Sequence, residues 1–168
     1  KCDFQIISSE QQRRTLVQLI SEGDAVQWAN PSWRRELASW MHPRHEGDGI
    51  ITPALSAPIT HMIVRSFDMG SGVAAKNQEL ADGSPLLAII SSPGESVKDW
   101  LSAGQALQRV LLTAVQQGLQ ASYLNQAIQV AMLRTKLQHL LRKPHFPQVL
   151  IRLGFPQKTM AAAPRRVL

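Results

Sequence analysis

The chain has 168 residues and a mass of 18.6 kDa, with 44% hydrophobic and 18% charged residues, enough to bury one ordinary core. This balance excludes collagenous, disordered and disulfide-scaffold classes, and the single Cys2 allows neither an internal disulfide nor a cysteine-based zinc site. The formal charge of +6 is unevenly spread: residues 1 to 84 hold 8 basic and 10 acidic side chains, whereas residues 85 to 168 hold 10 and 2, so an anionic partner is expected for the second half. No apolar run reaches the roughly 18 to 20 residues that span a bilayer, and no signal peptide is visible, so a cytoplasmic location is expected. The chain starts at Lys1 inside a strand-like stretch, as expected of a piece of a longer protein.

In chain order, Phe4 to Ile7 reads as a short strand. Ser9 with Gln12 three residues on offers a capping box for a helix carrying Leu16, Val17, Leu19 and Ile20, expected to end near Gly23. Asn30 and Pro31 open a second helix, with Trp33, Leu37, Trp40 and Met41 on one face, that stops before Pro43. Residues 42 to 60, rich in glycine and proline, read as a loop or lid. Met62 to Phe67 reads as a strand and residues 68 to 85 as a polar loop. Leu86 to Ile90 is a continuous apolar run of the kind covered on both faces of a sheet. Ser96 with Asp99 opens the strongest helix, from Trp100 to Gly118, whose small Ala103, Gly104 and Ala106 would admit a close neighbour. A short strand at Ala121 to Leu124, a helix at Met132 to Leu141 and a strand at Gln148 to Leu153 complete the chain before an Ala/Pro/Arg tail. Strands and helices mix without strict alternation, so the fold class is α+β.

Few chemical motifs stand alone. His42, His45 and His61 lack a carboxylate or cysteine cluster at ligand spacing, so no metal site is expected. Gly70-Ser71-Gly72 lacks the lysine and third glycine of a phosphate loop and reads as a flexible loop. Asp24, Glu36, Glu46 and Asp48 form no acid–base pair at a defined helical spacing and read as solvated charges. Trp28, Trp33 and Trp40 lie in the acidic half, whereas a base-stacking platform needs aromatic and basic groups interleaved; core packing is the reading taken, and no nucleic acid is expected.

A longer pattern is more specific. Asp99 to Ala114, then Gly118-Leu119-Gln120-Ala121-Ser122, Asn125-Gln126, Gln148 to Phe155, and Pro164-Arg165-Arg166 occur in this order, after Trp33 to Trp40 and Asp48-Gly49-Ile50. This set resembles the nitroreductase superfamily of FMN-dependent oxidoreductases, and most closely the C-terminal portion of its Acg-type branch. The resemblance implies a mixed sheet flanked by helices, with the long helix at the interface of a homodimer or of two similar halves of one chain. It implies FMN as cofactor and NAD(P)H as hydride donor, with nitroaromatic or quinone-like acceptors. The flavin, not a side chain, does the chemistry. The loop over the flavin would be Asn125 to Gln129, with Asn125, Gln126, Ile128 and Gln129 at the cofactor and a backbone amide near the reactive ring nitrogen. Here Ala127 and Gln129 replace the family's Pro-x-Glu. Arg165 and Arg166 would clamp the FMN phosphate, to which two planar guanidinium forks are suited. The family's N-terminal Arg-rich segment has no counterpart in these residues. The alternative is a non-catalytic protein of the same fold that stores or sequesters FMN beneath the 42 to 60 lid.

Overall fold

The structure is a computed structural model that describes residues 1–43, 50–52 and 56–157. At its centre lies a four-stranded sheet in the order β1 (Asp3–Ile6), β4 (Leu86–Ser92), β6 (Phe146–Gly154), β5 (Gln120–Tyr123), with every neighbouring pair antiparallel. The two short strands β2 (Met41–Pro43) and β3 (Ile50–Thr52) pair in parallel as a separate sheet. The central sheet is thus wholly antiparallel rather than mixed, and among the described residues parallel pairing is confined to β2 and β3.

The apolar run of β4 does what its composition implies. Leu87 and Ile89 join Leu150 of β6 in a core shared with Leu16, Val17 and Ile20 of α1 (Glu10–Ala29) and Leu133 and Leu137 of α7 (Ala131–Leu141). Their neighbours Ala88, Ile151 and Leu153 face the other way, onto Leu107, Val110 and Ala114 of α5 (Val97–Gln116). Alternation along each strand thus feeds two cores and makes a three-layer arrangement, helices on either side of one sheet.

Local signals account for several boundaries. Ser96 and Asp99 form a reciprocal capping box at the start of α5, which ends ahead of Gly118 in the left-handed region at φ 72. The Asn30 side chain accepts from the amides of Ser32 and Trp33 at the start of α2 (Pro31–Ser39). Ser9, by contrast, makes no side-chain cap; Gln12 donates instead to the Leu140 carbonyl at 3.2 Å, tying α1 to α7.

Four expectations are corrected. The first helix does not stop at Gly23 but runs to Ala29, with Gly23 buried in its interior. Met62 to Phe67 is not a strand: it falls in α3 (Ala57–Ser66), which has a proline in its first turn and buries Val64 against Trp28 and Ala38. Residues 70 to 82 form α4 (Gly70–Asp82), so Gly70-Ser71-Gly72 opens a helix. This helix buries only small residues, Gly70, Ala74 and Ala81, and a Cβ on Gly70 would lie 2.9 Å from the Trp28 Cβ. Close approach of α1 and α4 substitutes for a hydrophobic stripe, and for that reason the segment reads as polar. Finally, of the tryptophans assigned to core packing, Trp28 is buried and meets half-buried Trp33 edge to face at 5.4 Å, but Trp40 is half in water.

Three of the unpaired cations of the second half find carboxylates within the same chain. Arg134 grips Glu95 through both terminal nitrogens (2.9 and 2.6 Å), Lys136 pairs with Glu22 at 3.0 Å and Lys143 with Asp3 at 2.7 Å. At Glu95 partial desolvation opposes ionisation, yet the hydrogen bonds and charge of Arg134, with Gln148, outweigh it and hold the carboxyl below its ordinary range. The excess charge is thus partly a seam between the halves.

Candidate functional site

The turn that follows β5 is the structural counterpart of the segment singled out at Asn125 to Gln129. Leu124 donates its amide to the Leu150 carbonyl at 3.0 Å, and the Asn125 Oδ1 accepts from the Leu150 amide at 2.8 Å, so the chain leaves the sheet edge at a fixed point. Asn125 is then the N-cap of the single-turn helix α6 (Gln126–Gln129). The amides of Ile128 and Gln129 both donate to the Asn125 carbonyl at 2.9 Å and are used up inside the turn. Among the described residues the N–H groups of Gln126 and Ala127 carry no acceptor; Ala127 is fully buried, which leaves Gln126 as the backbone donor on an accessible residue.

Helix α1 holds this turn from beneath. A Cβ placed on Gly23 would lie 2.7 Å from the Gln126 Cβ and 2.8 Å from its carbonyl carbon, so only glycine lets the two backbones approach this closely. One residue on, Asp24 is 2% exposed and accepts from the Asn77 Nδ2 of α4 at 2.8 Å. A turn further, the Gln27 Nε2 donates to the Gln129 Oε1 at 2.6 Å. Gly23, Asp24 and Gln27 thus share one face of α1, and that face is the seat of α6.

Asp24 is therefore not the solvated charge expected from its sequence surroundings. Burial raises its carboxyl above the ordinary value, against the opposing hydrogen bonds of Asn77 and Gln126. The Gln126 Oε1 is itself buried and, among the described residues, has no hydrogen-bond partner. The sign of the pH dependence follows. A folded-state pKa above the unfolded value of 3.8 gives stability that is complete below that value and is lost as pH rises through the folded pKa. In urea titrations across the mildly acid range, the wild-type protein is expected to lose stability relative to Asp24→Asn as pH rises; parallel curves would show that Asp24 does not titrate in this way.

The remaining candidates divide. Ile128 packs at the edge of the core beneath β4, while Gln129 is exposed beside the end of α1. Arg165 and Arg166 lie outside the described residues, as do residues 44–49 and 53–55 of the expected 42 to 60 lid; the described part of that segment is not loop but falls mostly in β2, β3 and the start of α3. Among the described residues no group of three or more His, Cys, Asp or Glu is placed to hold a metal ion, and no helix is long and apolar enough to cross a membrane. Sequence reasoning missed Asp24 and Asn77. The signal available was the glycine beside Asp24 within an otherwise helical pattern, which marks a close approach as often as a helix end.

The architecture has known counterparts. The structure superimposes on a BluB-like flavoprotein from Clostridium difficile 630 with a TM-score of 0.53 over 99% of this chain and 75% of that one, at 11% identity. The two share a helix-rich α+β fold around a small antiparallel sheet. An FMN- and NADPH-dependent nitroreductase, NfnB, from a Sphigopyxis strain aligns with a TM-score of 0.49 over 93% of this chain and 70% of that one, at 14% identity. By sequence, the chain is 27% identical over 168 residues to the uncharacterized proteins MT3212 and Rv3127 of Mycobacterium tuberculosis strains CDC 1551 and H37Rv. The match takes in 96% of this chain but only 48% of theirs, so the chain spans about half the length of these relatives. No protein-family profile matches the chain.

Proposed function

We propose that the chain is the FMN-handling portion of a nitroreductase-like oxidoreductase of the Acg type, using NAD(P)H to reduce nitroaromatic or quinone-like acceptors. The fold shared with the BluB-like flavoprotein carries this reading, with α6 seated on α1 where the family resemblance puts the flavin. The polar groups at the turn fit a flavin ring edge. Gln129 is exposed and uncharged, and its Nε2 is left free to donate by the bond that its Oε1 accepts from Gln27. Bound there, the flavin supplies the hydride chemistry. The Gln126 backbone amide is the donor available to the ring, because those of Ile128 and Gln129 are engaged with Asn125. Asn125 orients the turn through Leu150, and Asp24 and Gln27 hold it from below. Purified protein reconstituted with FMN is expected to show flavin absorbance; no retained flavin would overturn the reading. Bleaching of that flavin by NAD(P)H and its recovery on adding a nitro compound would separate turnover from storage.

Arg165 and Arg166 are proposed as the phosphate clamp. Replacing both by Ala is expected to weaken FMN by about tenfold or more while leaving riboflavin nearly unchanged, since charge-assisted bonds to a phosphate contribute roughly 1.5–3 kcal/mol each. Equal weakening of the two ligands would refute the clamp.

The long helix α5 is proposed as the contact with a second, similar half, either another copy or another part of a longer chain. Val97, Leu101, Leu112 and Val115 recur along one line of the helix, and all are exposed.

A further inference from the structure

We propose that the cleft between the C-terminal end of α1, helix α2 and the junction of α6 with α7 is a binding site for a planar aromatic monocation. The cleft has a volume of about 580 Å³, within the range of small-molecule sites. Its walls include Trp33 and Trp40, seven residues apart and so on one face of α2 and its C-cap. Trp33 is braced by its edge-to-face contact with buried Trp28. The main chain at Trp40 is fixed by the Ile50 amide, which donates to its carbonyl at 2.6 Å, while the residue remains 52% exposed. Two indoles whose supports are already in place, one with half its surface in water, offer flat apolar area to a flat ligand at little ordering cost.

Charge selects the class. Glu36 lies between the two indoles in sequence and lines the same cleft, and no Lys, Arg or His is among the lining residues. Among the described residues Glu36 has no ion-pair partner. A carboxylate that lines the cleft beside two indole rings repels anions and favours a single positive charge spread over an aromatic ring, because the indole face attracts cations. The floor is polar but neutral: the Gln27–Gln129 amide pair closes it, and Asn30, whose Oδ1 is committed to capping α2, retains its amide donor.

The test uses three tricyclic probes of similar size, proflavin (cation), acridine (neutral at neutral pH) and anthracene-9-carboxylate (anion), titrated by tryptophan fluorescence and equilibrium dialysis into the protein with and without flavin. The expected order is cation, then neutral, then anion. Glu36→Gln is expected to weaken proflavin by about threefold to fivefold and to leave acridine unchanged, whereas Trp40→Ala weakens both by roughly tenfold. Trp40→Phe, which keeps an aromatic face, is expected to restore most of the loss. Anion binding as tight as cation binding, no response to Glu36→Gln, or no loss of affinity in Trp40→Ala would overturn the proposal. One-for-one displacement of proflavin by FMN would also overturn it, assigning the cleft to flavin. Absence of flavin from the protein overturns the proposed function alone and leaves the probe titrations unaffected.

Discussion

Gly23→Ala is expected to destabilise the protein, although alanine at an interior helix position normally stabilises by about 0.8–1 kcal/mol relative to glycine. The opposing effect is steric: the new Cβ would meet the Cβ, carbonyl carbon and carbonyl oxygen of Gln126 at 2.7, 2.8 and 3.0 Å. Two of these atoms are backbone and cannot rotate away, so α6 must move. Overpacking of this kind costs about 1–3 kcal/mol, which exceeds the propensity gain over most of its range. Denaturant titration gives the sign, and a Gly23→Ala protein more stable than wild type would show that α6 is not seated on α1 as described. Gly23→Leu extends the argument to function: a side chain too large for any small adjustment displaces the turn and, if the turn holds flavin, abolishes flavin retention. A protein that keeps both fold and flavin with leucine at position 23 would remove α6 from the cofactor site.

What the sequence made legible follows from where the signals are local. Asn30-Pro31 and Ser96 with Asp99 are start signals whose hydrogen bonds lie within three residues, and both caps form. The apolar run from Leu86 needs burial on both faces whatever covers it, and both cores reach it. Helix α4 failed as an expectation because its stability comes from a tertiary fact, the closeness of α1, which small residues permit but do not announce. The β-branched and aromatic residues of Met62 to Phe67 suit a strand by propensity, but Pro58 and the burial of Val64 against Trp28 place them on a helix. The candidate site depends on distant residues in the same way. The segment Asn125 to Gln129 is singled out by ordered motifs, but its conformation depends on Leu150, 25 residues away, and its support on Asp24 and Gln27, about 100 residues away. An acidic residue in a helical stretch looks solvated until the partner that buries it is known.

Helix α5 gives the second large expected effect. The helix faces the sheet with Ala103, Leu107, Val110 and Ala114, and roughly opposite lies the line of Val97, Leu101, Leu112 and Val115, of which the last three are 67%, 65% and 70% exposed. A solvated face is normally polar, and these exposed apolar side chains, interrupted on their line by Gln108, support the proposed contact with a second, similar half. Gly104 lies on that line with nothing within 4 Å of an added Cβ. If the face stays in water, Gly104→Ala can only stabilise, by about 0.8–1 kcal/mol from helix propensity. If a second helix packs there, the same methyl group separates the two backbones and weakens association. A single substitution is thus expected to raise the unfolding free energy measured at high dilution and to lower the association constant measured by sedimentation. Leu112→Glu serves as the stronger companion: a carboxylate placed in a closed apolar contact, without a partner, costs several kcal/mol, enough to dissociate the assembly, whereas on a solvated surface it costs roughly 0.5 kcal/mol or less. A chain whose mass in solution, stability and flavin content are unchanged by Leu112→Glu, and which gains stability from Gly104→Ala without any change in association, would have an α5 that faces only water.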